Sequence, residues 1–156
     1  IFSFFTGVYK PLAAQARGAG RLPVATGSGL ENARFAQPDY REVFSAEGIR
    51  VLSQLSGGRI RTIDDLAAAI RSGRINPQDV RVDYIQRGNN TIILNTRTAE
   101  ALQRAGVPRS QWNARSRTGD ELFEGLLDRQ LGRNNLTNEG VLQPNSQGFG
   151  IQNGSY

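Results

Sequence analysis

Apolar residues recur at helical spacing in three stretches of the chain. In the first, Ile63, Leu66, Ala67 and Ile70 share a face. Thr62 and Asp65 make a variant of the capping box before it, and Gly73 is placed to end the helix. The second runs from Thr98 to Ala105 and is closed by Gly106, with Pro108 just beyond. The third follows Thr118, which with Glu121 reads as another capping box; Leu122, Phe123, Leu126, Leu127 and Leu131 form one apolar face and Gly132 ends it. Between the first two helices the period changes to two. Val80, Val82 and Tyr84 alternate with Arg81, Asp83 and Ile85, Gly88-Asn89-Asn90 tolerates positive φ, and Ile92, Ile93 and Leu94 form a return strand. That pattern predicts a hairpin.

The rest of the chain is less periodic. Residues 1–34 are broken by Gly18, Gly20, Gly27, Gly29, Pro11 and Pro23, and read as a linker or the end of an entry segment. One compact domain is expected over 35–136, with a short strand within its first dozen residues. Residues 137–156, rich in Asn, Gln, Gly and Ser, read as a polar tail that is either flexible or an extension of a sheet edge. The segment PRSQWNARSR, from Pro108 to Arg117, has mixed polarity and receives no element. The fold class expected is α+β, with a short mixed sheet and three or more helices.

Composition narrows the chemistry. There is no Cys, which removes disulfides, thiolate ligands and cysteine nucleophiles. There is no His, which removes the usual general base near neutral pH and the commonest metal ligand. No cofactor or metal site is assigned. The net charge is +5, and every basic residue except Lys10 is an arginine, whose planar fork of donors suits phosphate and carboxylate. The stretch Arg59 to Arg117 is strongly basic, whereas Asp120 to Glu139 is acidic. This balance points to a polyanionic partner, nucleic acid first, or to no more than a solvated surface. No run approaches the roughly 18 apolar residues of a membrane-spanning segment. The chain opens on Ile1 and contains no Met, so a fragment or processed product is expected.

Two regions carry candidate chemistry. Arg97 lies where a strand passes into a helix, a place where backbone N–H groups and a guanidinium together bind anions; the alternative is a structural pair with Asp83 across the hairpin. Asp83 is a mid-strand acid with a candidate special role, and Glu47 is a second candidate acid. Tyr84 shares a face with Val80 and Val82 and reads as core. The other region is Arg109, Ser110, Gln111, Trp112, Asn113, Arg115, Arg117 and Thr118, where arginines meet phosphates while Trp112 stacks a base, or where Trp112 is core and the arginines are solvated.

The run NTRTAEALQRAG, Asn95 to Gly106, resembles the strand-to-helix motif of ParB-type domains of the ParB/sulfiredoxin superfamily: Arg97, Ala101, Ala105 and Gly106 coincide with it. The helix TIDDLAAAIRSG before the hairpin resembles the family's preceding helix. The resemblance covers about residues 44–111 and implies phosphate binding or nuclease-like chemistry. Asn95, Thr96 and Thr98 stand where the family has Gly, Glu and Arg, so Arg97 alone carries over directly. Thr96 joins Arg97 and Asp83 as a catalytic candidate. The chain is also similar to C-terminal toxin modules of polymorphic and contact-dependent growth inhibition proteins. The matching pattern runs from Phe44–Gly48 through Thr62–Gly73, Val82–Ile85, Ile93–Arg97 and Ala105–Asn113 to Arg117–Gly119. This similarity implies a secreted or cell-surface effector that acts in the cytoplasm of a neighbouring bacterium. It also implies a cognate immunity protein, expected to be acidic where it covers Arg109 to Arg117. A ribonuclease is the reading preferred, with a metal-dependent DNase or a non-catalytic ParB-like binding module as alternatives.

Overall fold

The computed structural model describes residues 30–149. Within them the fold is α+β. Four strands form a mixed sheet: β1 (Arg34–Phe35), β3 (Arg81–Arg87), β4 (Asn90–Ile93) and β5 (Asn113–Ser116), in the order β1-β4-β3-β5. β3 and β4 are the expected hairpin, with Tyr84 opposite Ile93, and Gly88 takes the positive φ that the turn needs (64°). β1 joins β4 in parallel and β5 joins β3 in parallel. A second sheet pairs β2 (Asp39–Tyr40) with β6 (Asn145–Ser146).

Strand alternation divides the core. Val80, Val82, Ile93 and Phe35 face one side, which is covered by α1 (Ala46–Ser56), α2 (Ile63–Arg71) and α3 (Thr96–Arg104). Ile85, Ile92 and Leu94 face the other, which is covered by Leu127 and Leu131 of α4 (Glu121–Arg133). Arg81, Asp83 and Arg87 therefore lie on the α4 side of β3. Arg87 spans to α4, where it meets Glu124 at 2.6 Å and Asp128 at 2.9 Å.

Several expectations need adjustment. The compact unit begins before residue 35, since Leu30 and Ala33 are buried. It also extends beyond residue 136: Val141 pairs with Phe35, and β6 is an edge extension. Gly140 sits against Phe35 there, and at its φ of 58° an added Cβ would collide with the Phe35 carbonyl oxygen. α1 was not foreseen. α3 starts at Thr96, two residues earlier than its apolar spacing indicates. The capping box read at Thr118 and Glu121 is not formed: Asp120 caps α4, accepting from Leu122 N at 3.0 Å, and Thr118 Oγ1 instead accepts from Gln86 N at 2.9 Å. Leu122 is 70% exposed, so it does not belong to the apolar face of α4, and Gly132 lies inside the helix, not after it. Among the described residues no helix is long and apolar enough to cross a membrane.

Candidate functional site: arginines around Asp83

The edge strand β5 lies parallel to β3 in a register that sets Asp83 opposite Arg115 and Arg81 opposite Asn113. Partners in such a ladder project to the same face, so Asp83 and Arg115 share the α4 side of the sheet. Arg117 follows β5 directly. Its backbone N–H donates to the Tyr84 carbonyl at 2.7 Å, and its carbonyl accepts from Asp120 N at 3.0 Å. This fixes the chain on both sides of the residue. Its Nε donates to Asp83 Oδ1 at 3.1 Å, and its guanidinium lies over the Phe123 ring, 4.4 Å from the centroid.

Asp83 is buried, with 4% exposure. The same Oδ1 lies 3.4 Å from Arg81 Nε. Burial pushes the carboxyl above its usual range; Arg81, Arg117 and Arg115 pull it back without fully offsetting the loss of water. Asn95 braces the strand from the other side. Its Oδ1 accepts from Asp83 N at 3.0 Å and its Nδ2 donates to the Arg81 carbonyl at 2.9 Å. Thus the side chain of Asn95 continues the β3–β4 ladder into the start of α3, and no side chain caps that helix. Arg115 is exposed, and among the described residues no carboxylate forms an ion pair with it.

The other expected residues go elsewhere. Arg97 neither pairs with Asp83 nor stands free. Its Nη1 donates to the Val43 carbonyl at 2.6 Å, and burial followed by the nearby Arg41 pushes its pKa down. Thr96 is buried in the first turn of α3, and its hydroxyl has no hydrogen-bond partner. Arg97, Asp83 and Thr96 therefore do not form one constellation.

The Arg109–Thr118 segment is not a continuous surface either. Arg109 turns inward, donating to the carbonyls of Leu30 and Ala33 and to Gln103 Oε1 while lying over Phe35 and Trp112. Trp112 is core, and its Nε1 donates to the Val107 carbonyl at 2.9 Å. Asn113 bonds to the Gln78 carbonyl. Ser110, Arg115 and Thr118 are exposed and Arg117 is half-buried.

A second polar cluster was not anticipated. Arg104 grips both oxygens of Glu42, at 2.7 and 2.9 Å, and also reaches Asp64 and the Tyr40 hydroxyl. Tyr40 in turn donates to the buried Glu100 at 3.2 Å. Glu100 and Arg104 stand four apart on α3, the spacing of a local helix pair, but Arg104 takes partners some 40–64 residues away instead. That choice leaves no trace in the local pattern. A shallow depression of about 380 Å³, lined by Asn32, Arg34, Asn89, Asn90, Arg109 and Leu142 among others, contains none of the Asp83 cluster. Among the described residues no group of three or more acidic side chains is gathered as a metal site.

The arrangement around Asp83 can bind an anion: two guanidiniums on one sheet face, one anchored and one free, at a strand edge. No protein-family model, curated protein or solved structure matches the chain.

Proposed function

We propose that this chain is an antibacterial toxin module of a larger secreted or cell-surface protein, and that it cleaves RNA in the cytoplasm of a neighbouring bacterium. The observation that carries the nucleic-acid part is the pairing of exposed Arg115 with anchored Arg117 on one face of the sheet. The toxin part rests on the long motif similarity that runs from Phe44 to Gly119. RNA brings its own nucleophile, the 2′-hydroxyl. A site without His can accelerate its attack by holding the phosphate in line and stabilising charge on the phosphate oxygens with guanidiniums. In this reading Arg115 and Arg117 meet the phosphate.

The immunity partner covers the same two arginines with acidic side chains. Arg109 and Trp112, being turned inward, are no part of that interface. A second reading is favoured by one specific observation: the carboxylate at the site is already engaged by arginines. On that reading the module binds nucleic acid without cutting it.

Purified protein is incubated with total bacterial RNA and with plasmid DNA, each with and without EDTA. Discrete RNA cleavage that survives EDTA is expected, with Arg115→Ala and Arg117→Ala each lowering the rate about tenfold or more. Arg97→Ala, tested beside them, measures what the ParB-like motif adds. Salt-sensitive binding with no cleavage of either nucleic acid selects the binding module. EDTA-sensitive DNA cleavage selects the metal-dependent DNase.

A further inference from the structure

We infer that Asp83 and Phe123 are positioning residues that preset Arg117 for the phosphodiesters of a single RNA strand. The inference rests on the nucleic-acid reading above and names how its site is built. A free arginine side chain has rotamer entropy to lose when it is immobilised. Arg117 has already lost most of it. Its backbone is held on both sides by Tyr84 and Asp120, its Nε by Asp83 at 3.1 Å, and the face of its guanidinium by Phe123 at 4.4 Å. The loop beyond is fixed too, because Gly119 N donates to Glu124 Oε2 at 2.8 Å and Glu124 is itself clamped by Arg87.

The fixed edge is the Nε edge. Among the described residues neither Nη1 nor Nη2 of Arg117 makes a hydrogen bond. A guanidinium held by Nε and by one face keeps its two outer nitrogens for a two-pronged contact with phosphate oxygens. Arg115 lies two positions back along the chain and is exposed. Arg117 directly follows β5, and two residues of extended chain span about 6.6 Å, of the order of the spacing of neighbouring phosphates along a single strand. The pair therefore suits consecutive phosphodiesters.

The test uses the full chain and a fluorescently labelled oligouridylate at low salt, read by anisotropy. Arg117→Ala is expected to weaken binding about tenfold. Asp83→Ala and Phe123→Leu should each weaken it about threefold to fivefold in the parent chain, and add nothing once Arg117 is alanine. Equal losses in both backgrounds, or none in either, overturn the inference.

A second measurement needs no ligand. In protein labelled with 15N-arginine, the Arg117 Nε–H resonance should be displaced by the Phe123 ring current and protected from exchange. Phe123→Leu should remove the displacement and Asp83→Ala the protection. An unshifted, rapidly exchanging Arg117 resonance in the parent chain overturns the preset geometry even if Asp83→Ala does not fold. Oligouridylate that is bound with the expected coupling but never cut supports the positioning and ends the ribonuclease reading. A parent chain that does not bind oligouridylate at all overturns the assigned ligand.

Discussion

Asp83 carries opposed demands on a single carboxyl. Burial raises its pKa, and three arginines lower it by less. A raised carboxyl takes up its proton at a higher pH than an ordinary aspartate, near 3.9. As pH falls, Asp83 therefore releases Arg117 before exposed acids titrate. The sign for stability is the reverse. Ionised Asp83 is disfavoured in the folded chain relative to the unfolded one, so protonating it relieves a cost. Binding of oligouridylate, whose bases do not titrate in this range, should fall on acidification with a midpoint above the usual aspartate value. Asp83→Asn should lose that acid limb while keeping an oxygen that accepts from Arg117 Nε. An acid limb that is unchanged in Asp83→Asn assigns the titration to another group. At this scale the sequence was partly legible. Asp83, Arg115 and Arg117 stand out as a mid-strand acid and a run of arginines. Arg109 and Trp112 belong to the same run but turn inward, because the 3-10 turn at Arg109–Gln111 aims them at the carbonyls of Leu30, Ala33 and Val107. Nothing in their spacing distinguishes them from the exposed pair.

Most elements with strong local signals are legible in the sequence alone; elements held by distant partners are not. α2 has the complete capping box: Thr62 Oγ1 accepts from Asp65 N at 3.1 Å, and Asp65 Oδ2 accepts from Thr62 N at 3.0 Å and from Arg61 N at 2.9 Å. Thr62→Ala removes one half of it and leaves the Asp65 N–H without its acceptor. A loss of about 1 kcal/mol is expected in urea unfolding. Asp65→Ala, which frees two N–H groups, should lose at least as much. If both are neutral, packing of α2 alone sets its start. The α4 hydrophobic face and the hairpin were legible for the same local reasons. β5 was not. Its residues, Asn113, Ala114, Arg115 and Ser116, include no β-branched or aromatic side chain, and it exists as a strand because β3 pairs with it. α1 has local signals too, but weaker ones: Ser45 caps it at 3.1 Å, Ile49, Leu52 and Leu55 follow helical spacing, and Gly57 ends it at a φ of 76°. Leu52 is its one buried side chain, so the apolar stripe is thin.

At the scale of the described residues, two of the polar clusters do different work. The Asp83 cluster holds Arg117 by its Nε, with Arg115 exposed beside it on the α4 side of the sheet. The Arg104 cluster leaves little open, and joins β2, β6, α2 and α3 through Tyr40, Ser146, Asp64 and its own helix. Its main bond is also its pH sensor. Arg104, with help from Ser146, holds the Glu42 carboxyl below the usual carboxylate range against the upward push of burial. A carboxyl whose folded pKa is lowered contributes stability above its unfolded value, near 4.3. That contribution is lost as pH falls through the lower folded value. Arg104→Met keeps much of the packing but leaves Glu42, which is 12% exposed, without its cation. It should destabilise the chain by about 2–3 kcal/mol at pH 7, discounted from a fully buried pair because Arg104 is 26% exposed. Glu42→Gln separates charge from shape: its deficit relative to the parent should be largest near neutral pH and shrink once the solution falls below the ordinary glutamate range. Urea unfolding of the parent and Glu42→Gln across that range decides it. A deficit that does not change with pH means that the carboxylate charge is not what joins these four elements, and that hydrogen bonding and packing around Tyr40 hold them instead.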